Sequence, residues 1–238
     1  MTHTNEERML PVFKYLKELK DTQNFIIDKS GVKTVELINM TACLNPLQPI
    51  FEYPGRKTPE AYCNKEIDWY LSQDLSVEMI GEHAKIWTKV CSSKGLVNSN
   101  YGWCIFNEDN FKQYEHCLNE LIANKESRRA MMIYTRPSMQ EDYCKDNMSD
   151  FICTNNVQCF IRNNKLYYLV YMRSNDAIFG FYPDFYWHCW VYNKLLKDLQ
   201  KTYKDLEASE DGLYWNAGSF HVYERHFDML ENICTFKA

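Results

Sequence analysis

Apolar and polar positions along the chain follow two alternating periods. "ERMLPVFKYLKEL" places Val12, Phe13, Leu16 and Leu19 at helical spacing. "GVKTVELINMTACL" reads as a strand, and a proline-rich loop runs from Pro46 to Pro59. "PEAYCNKEIDWYL" predicts a helix opened by a proline near its first turn. "NEDNFKQYEHCLNELI" predicts an amphipathic helix with Phe111, Tyr114, Leu118, Leu121 and Ile122 on one face. "AMMIYT" reads as a buried strand, and "VQCFIRNNKLYYLVYM" as two strands joined by an Asn-Asn turn. "DFYWHCWVYNKLLKDLQKTY" is the longest helical pattern, and "SFHVYERH" reads as a short closing strand or turn. No linker, repeat or low-complexity tract divides residues 1–238. The pattern therefore predicts one α+β domain with a mixed β-sheet and several packed helices.

Composition narrows the partners. Hydrophobic residues make up 45% and aromatics 15% of the 238 residues, enough to fill a large core. A net charge of -5 without a basic tail argues against a broad nucleic-acid surface, so direct DNA binding is not expected. A local basic pocket for an anion is compatible with it. No apolar run approaches the roughly 20 residues of a membrane helix, and "MTHTNEERML" lacks a signal-peptide pattern. The chain is expected to stay in the cytoplasm where it is made. Its ten cysteines are irregularly spaced with no CxxC pair, which reads as reduced thiols. The glycine-rich nucleotide-binding fingerprints, GxSxG, HExxH and the zinc-deaminase pair are absent. The six histidines do not cluster at ligand spacing, so no metal is expected.

Several stretches carry candidate chemistry. Cys153 in "DFICTNNVQCF" is followed by Thr154, Asn155 and Asn156, an unusual setting for a cysteine that merely fills a core. Arg128 and Arg129 stand just before a strand, where two guanidinium groups can fork onto one phosphate. Taken alone, that pair reads as a solvated basic loop. Arg173, Ser174, Asn175 and Asp176 follow a mostly apolar stretch, which fits either a binding edge or a capped polar turn. His221 and Tyr223 share one face if the chain is extended, but alone they read as an ordinary histidine and a core tyrosine. Glu66 has Tyr62 and Tyr70 at i−4 and i+4 and Cys63 at i−3. It lies either at the edge of that apolar stripe or on it, where desolvation would raise its pKa toward neutrality.

In order along the chain, "DKSGVKT", "KEIDWY", "SSKGLVNSNYGW", "SRRAMMIYTRPSM", "SDFICTNNVQ", "MRSNDAIFGF" and "GSFHVYERH" resemble the thymidylate synthase family over nearly the whole length. The resemblance implies a thymidylate synthase-like single domain and a homodimer built through its sheets. It implies that Cys153 is the nucleophile and Glu66 the carboxylate that organises water and proton transfer, with Tyr101 near the nucleophile. Arg128 and Arg129 would reach a nucleotide phosphate across the subunit interface, joined by Arg173, Ser174 and, less closely matched, Lys29. His221 and Tyr223 would hold the sugar, Gln158 would lie at the base or sugar, and Asp176 and Trp87 at the folate. The implied co-substrate is 5,10-methylenetetrahydrofolate, with no metal. The cysteine thiolate would add to ring carbon 6 of a pyrimidine nucleotide, helped to ionise by nearby arginines.

Asp184 departs from the family, which carries an asparagine there to read uracil. A carboxylate only accepts hydrogen bonds, which suits the amino group of cytosine, with N3 protonated. The expected nucleotide is therefore dCMP. The position just after Pro183, where a helix begins, equally suits an acidic cap. Thr154 replaces the family's usual histidine, and Val90 stands where a second tryptophan usually follows Trp87. Both changes are expected to open the pocket to water. The resemblance is greatest to members from phages that finish with hydroxymethyl, which implies the cytoplasm of an infected bacterium. The open alternatives are a dCMP C5-methyltransferase that delivers hydride and a nucleotide- or RNA-binding relative without turnover. The chain ends soon after "HFDMLENICTFKA", from which the family's C-terminal closing segment is expected to be missing.

Overall fold

The structure is a computed structural model that describes residues 3–27 and 31–237. Helix α1 (Asn5–Asp21) opens on a capping box. The Thr4 hydroxyl accepts from the Glu7 amide at 3.2 Å, and the Glu7 carboxylate accepts from the Thr4 amide at 2.7 Å. Met9, Phe13 and Leu16 of this helix are buried. Then come β1 (Ile26–Ile27) and β2 (Lys33–Leu44). The proline-rich loop contains a small hairpin of β3 (Glu52–Tyr53) and β4 (Arg56–Lys57) that periodicity does not reveal. Helices α2 (Glu60–Ser72), α3 (Glu78–Gly81), α4 (Lys85–Val90), α5 (Tyr101–Phe106) and α6 (Gln113–Ala123) follow. The rest comprises β5 (Met131–Ile133), α7 (Met139–Asp142), β6 (Thr154–Arg162), β7 (Lys165–Met172), β8 (Asn175–Asp176), α8 (Phe181–Leu199), β9 (Glu207–Tyr223) and α9 (Phe227–Ile233).

Among the described residues the main sheet runs β1-β2-β9-β7-β6-β5, with β8 beside β9. β9 is antiparallel to β2 and parallel to β7, so the sheet is mixed as the pattern predicts. Asn163 and Asn164 turn β6 into β7 with φ of 49° and 60°, the left-handed pair that a tight hairpin needs. Leu166, Tyr168, Val170 and Met172 alternate into the core on β7, and α8 packs against that strand. Phe181, Phe185, Trp187, Cys189 and Tyr192 of α8 are buried.

Three local expectations change. Phe111 is not on the α6 stripe. Asn107 caps a short 3-10 turn over Glu108–Asn110, which throws Phe111 into the left-handed region (φ 63°) and leaves it 79% exposed. β5 is an edge strand, so Met132 is buried while its neighbours Met131 and Ile133 face outward. "SFHVYERH" does not form a short closing element; it contains the end of β9, a strand of 17 residues. Long pairing with β2 and β7 supplies the order that local sequence does not.

Candidate active site

Cys153 sits immediately before β6 on a loop held from two sides. Asp150 accepts hydrogen bonds from the Asn98 amide (2.7 Å), the Ser99 amide (2.8 Å) and the Ser99 hydroxyl (2.7 Å). The cysteine loop is thereby tied to the segment that starts α5. Asn100 caps that helix by accepting from the Trp103 amide at 2.8 Å, and Tyr101 is its first residue. A side chain at Gly102 would place its Cβ 1.8 Å from the Tyr70 carbonyl oxygen, so α5 can approach α2 only with glycine there. The approach stacks Tyr101 on Tyr70 with centroids 5.2 Å apart.

Arg173, at the end of β7, grips the same loop. Its Nε donates to the Ile152 carbonyl (3.0 Å) and its Nη2 to the Phe151 carbonyl (2.6 Å). Nη2 also lies 3.7 Å from the Cys153 sulfur. This guanidinium favours the thiolate, but burial is the larger effect and pushes the thiol up to about 12. Within one chain Arg173 is the cation that favours the thiolate, and it does not offset the desolvation; Arg128 and Arg129, expected to act across a subunit interface, are elsewhere in the chain.

Two buried carboxyl groups lie within electrostatic reach of one another. Glu66 on α2 is 5% exposed and accepts from the Tyr62 hydroxyl at 2.5 Å, which in turn accepts from Trp87 Nε1 at 3.1 Å. Burial pushes Glu66 up to about 7, against the opposing pull of Tyr62. Asp184 lies in the first turn of α8, four residues past Gly180, so it does not occupy the capping position. Burial, followed by repulsion from Glu66, holds its carboxyl well above the usual carboxylate range. Hydrogen bonds from Asn175 and Tyr101 oppose this shift without reversing it. Burial thus favours the neutral form of Asp184, where the sequence reading takes a carboxylate. Tyr101 also bonds the Thr154 side chain and lies within electrostatic reach of Cys153.

The structure thus brings Cys153, Tyr101, Glu66, Asp184 and Arg173 together, with Trp87 joined through Tyr62. Ser174 is half-buried between Arg173 and Asn175. Asp176 pairs across strands with His221, and one of its oxygens accepts from the Ile178 and Phe179 amides. His221 contacts the Ser219 hydroxyl through Nδ1 at 3.1 Å and packs edge-on to Tyr223 at 5.0 Å. Arg128, Arg129 and Gln158 are not part of this group within one chain. Gln158 lies five residues beyond Cys153, roughly 15 Å along an extended strand, and donates to the Arg128 carbonyl. Arg129 pairs with Glu120 on α6. Lys29 lies outside the described residues.

Sequence reasoning leaves out three residues. Asn175, one of the polar quartet after β7, donates to Asp184 at 2.8 Å. Tyr62, flagged only as a neighbour of Glu66, is that carboxyl's partner. His188 carries no local signal, yet it is buried with Nε2 3.4 Å from the Thr154 hydroxyl and Nδ1 3.1 Å from the Tyr168 hydroxyl. Burial pushes it down to about 3, so it is a neutral hydrogen-bonding partner. Thr154 is fully buried against it. Val90 is half-buried and packs against the core. Among the described residues no group of His, Cys, Asp or Glu is arranged to hold a metal ion. No helix among them is long and apolar enough to cross a membrane, and all ten cysteines are free.

The site sets a cysteine beside a guanidinium and within electrostatic reach of the buried Asp184. Known proteins give that arrangement a family. The deoxycytidylate 5-hydroxymethyltransferases of Enterobacteria phages T4, T2 and T6 are each 47% identical to this chain over 230 residues, spanning 96% of it and 90% of their own length. The family described as thymidylate synthase matches residues 14–237, a stretch that includes the whole site. The chain belongs to the thymidylate synthase family.

Proposed function

We propose that this protein is a deoxycytidylate 5-hydroxymethyltransferase. It converts dCMP, 5,10-methylenetetrahydrofolate and water to 5-hydroxymethyl-dCMP and tetrahydrofolate. The observation that carries this reading is a buried aspartate with a raised pKa at residue 184, on the same site as Cys153, in a chain 47% identical to deoxycytidylate 5-hydroxymethyltransferases. A neutral carboxyl offers one donor and one acceptor side by side. Cytosine presents an acceptor at N3 and a donor at its amino group, so the two edges match with neither ionised. The names of the phage relatives support the same substrate.

The residues then divide the work. The Cys153 thiol gives its proton to solvent water, Arg173 stabilises the negative charge on the sulfur, and the sulfur bonds to ring carbon 6. The ring electrons move toward N3, which takes the proton of Asp184, an acid held in reserve by its raised pKa. Carbon 5 becomes nucleophilic. The folate supplies the one-carbon unit that carbon 5 takes up. Loss of the carbon 5 proton and departure of the folate leave an exocyclic methylene, to which water adds. The sulfur–carbon bond breaks as the ring is restored. Glu66, with a pKa near 7 and fixed by Tyr62, is suited to hold that water and move its proton.

The folate fits residues already connected to this acid. Trp87 presents a half-buried indole whose N–H is tied through Tyr62 to Glu66, and Phe179 is 44% exposed beside Asp176. These are the residues that would hold it. Arg173, Ser174 and Lys29 would take the nucleotide phosphate, and His221 and Tyr223 the sugar. Arg128, Arg129 and Gln158 would act on the partner's site in a homodimer. Ile38, Met131 and Ile133 are exposed at 73%, 37% and 50% on sheet strands and supply apolar surface for that contact. Residues 1–238 would work as one catalytic unit in the cytoplasm of a phage-infected bacterium.

Incubation with dCMP, dUMP or CMP plus methylenetetrahydrofolate, followed by mass analysis, tests the reading. A dCMP product heavier by one formaldehyde unit, with no rise in dihydrofolate absorbance, is expected. A methyl product with dihydrofolate identifies a methyltransferase. No release of tritium from carbon 5 of dCMP rules out turnover.

A further inference from the structure

A neutral carboxyl matches cytosine in one orientation and uracil in the other. With its proton opposite N3 it fits cytosine; with its proton opposite position 4 it fits uracil, whose N3 is a donor and whose O4 is an acceptor. Base choice therefore depends on which oxygen of Asp184 carries the proton. Asp184 alone does not decide this, because its two oxygens are chemically equivalent.

Their surroundings are not equivalent. Asn175 is 2% exposed on β8 and donates from Nδ2 to Oδ2 of Asp184 at 2.8 Å. Its other end faces Trp215, fully buried on β9, whose Nε1 donates to Asn175 Oδ1 at 3.3 Å. An indole N–H can only donate. The amide oxygen of Asn175 must therefore turn to Trp215, and its NH2 must turn to Asp184. That NH2 can only donate as well, so Oδ2 must accept. The carbonyl oxygen of a neutral acid is a better acceptor than its hydroxyl oxygen, so this contact favours Oδ2 as the carbonyl and the proton on Oδ1. Flipping the amide would set two donors against each other at Trp215, an unmet buried pairing of about 1–3 kcal/mol.

We propose that Asn175, oriented by Trp215, is a specificity-determining positioning residue that fixes the proton of Asp184 on Oδ1 and so selects cytosine over uracil. The proposal rests on the dCMP reading of this site. It assigns selectivity to a directed chain, Trp215 to Asn175 to Asp184, of which only the last member meets the base.

The test is the ratio of kcat/KM for dCMP to that for dUMP, read by tritium release from carbon 5 of each nucleotide. Asn175→Leu removes both hydrogen bonds at similar volume. Asn175→Asp keeps an acceptor for Trp215 but removes the N–H to Asp184. Trp215→Phe frees the amide to turn. Both Asn175 variants are expected to lower the ratio at least tenfold, and Trp215→Phe at least threefold, mainly by raising activity on dUMP. A merely structural role would lower both substrates together and leave the ratio in place. A ratio within twofold of the original in Asn175→Asp overturns the proposal, whether or not Asn175→Leu folds. If the unaltered protein releases no tritium from dCMP, the failure lies with the function on which the proposal rests.

Discussion

Replacing Asp184 by asparagine exchanges one acidic proton for two non-acidic amide hydrogens and changes almost no volume. The amide still offers a donor and an acceptor, so dCMP is expected to bind with an affinity within a few-fold of the original. What disappears is a group able to give N3 a full proton while the sulfur adds to carbon 6. In the protein burial and repulsion from Glu66 raise that group's pKa and favour its protonated form. Loss of general acid catalysis of this type lowers rates by roughly 10²–10⁴. For dUMP the change works the other way. An amide can turn to the uracil pattern only by giving up its contact with Asn175, so relief of a mismatched buried contact of about 1–3 kcal/mol sets an upper bound of roughly a five- to 150-fold gain. The assay is tritium release from carbon 5 of each nucleotide, with dCMP affinity measured separately by calorimetry. The reasoning predicts a fall in kcat on dCMP at near-constant affinity, and a rise in kcat/KM on dUMP. An unchanged dCMP to dUMP preference would refute it. So would a loss confined to dCMP affinity, which would make Asp184 a binding group and not an acid.

Other perturbations test separate parts of the site. Glu66 is neutral below about pH 7 and charged above it, so the rate should rise through that pH if it takes a proton from water, and this limb should vanish in Glu66→Gln. The same shift bears on stability. A folded pKa raised from 4.5 to about 7 means the folded state holds the extra proton, so this contribution is present below pH 4.5 and is lost as pH rises through 7. It amounts to about 3 kcal/mol, and urea unfolding at pH 5 and pH 8 should show that pH dependence reduced in Glu66→Gln. Gly102→Ala would drive a Cβ into the Tyr70 carbonyl. Thermal unfolding should show a loss of several kcal/mol, and activity should fall as Tyr101 moves. If Arg128 serves the partner's phosphate site, mixing inactive Cys153→Ser with inactive Arg128→Ala subunits should restore activity through hybrid dimers; no recovery after subunit exchange would count against a shared site.

Several parts of the fold are legible in local periodicity alone. The α1 stripe, the Asn-Asn hairpin and the long α8 pattern depend on spacing within one element, and each element forms where its own residues direct it. Phe111 and β9 depart from their local pattern because a cap at Asn107 and pairing with distant strands override it. Within the site, residue identities are legible in the sequence: a cysteine among polar neighbours, an acid on an apolar stripe, an aspartate where the family reads a base. Protonation states are not. The raised pKa values of the Cys153 thiol and Asp184, and a Glu66 poised near pH 7, all follow from burial by elements far apart in the chain.

What the sequence by itself determined is the set of chemical groups and the family that orders them. What only the tertiary structure decided is their charge and orientation. His188 meets Thr154, and Trp215 meets Asn175, only when α8 and β9 pack around the end of β7. The physical reason is that an ionisable group's charge depends on how much water and which dipoles surround it, and those are assembled by contacts between residues that no local stretch contains.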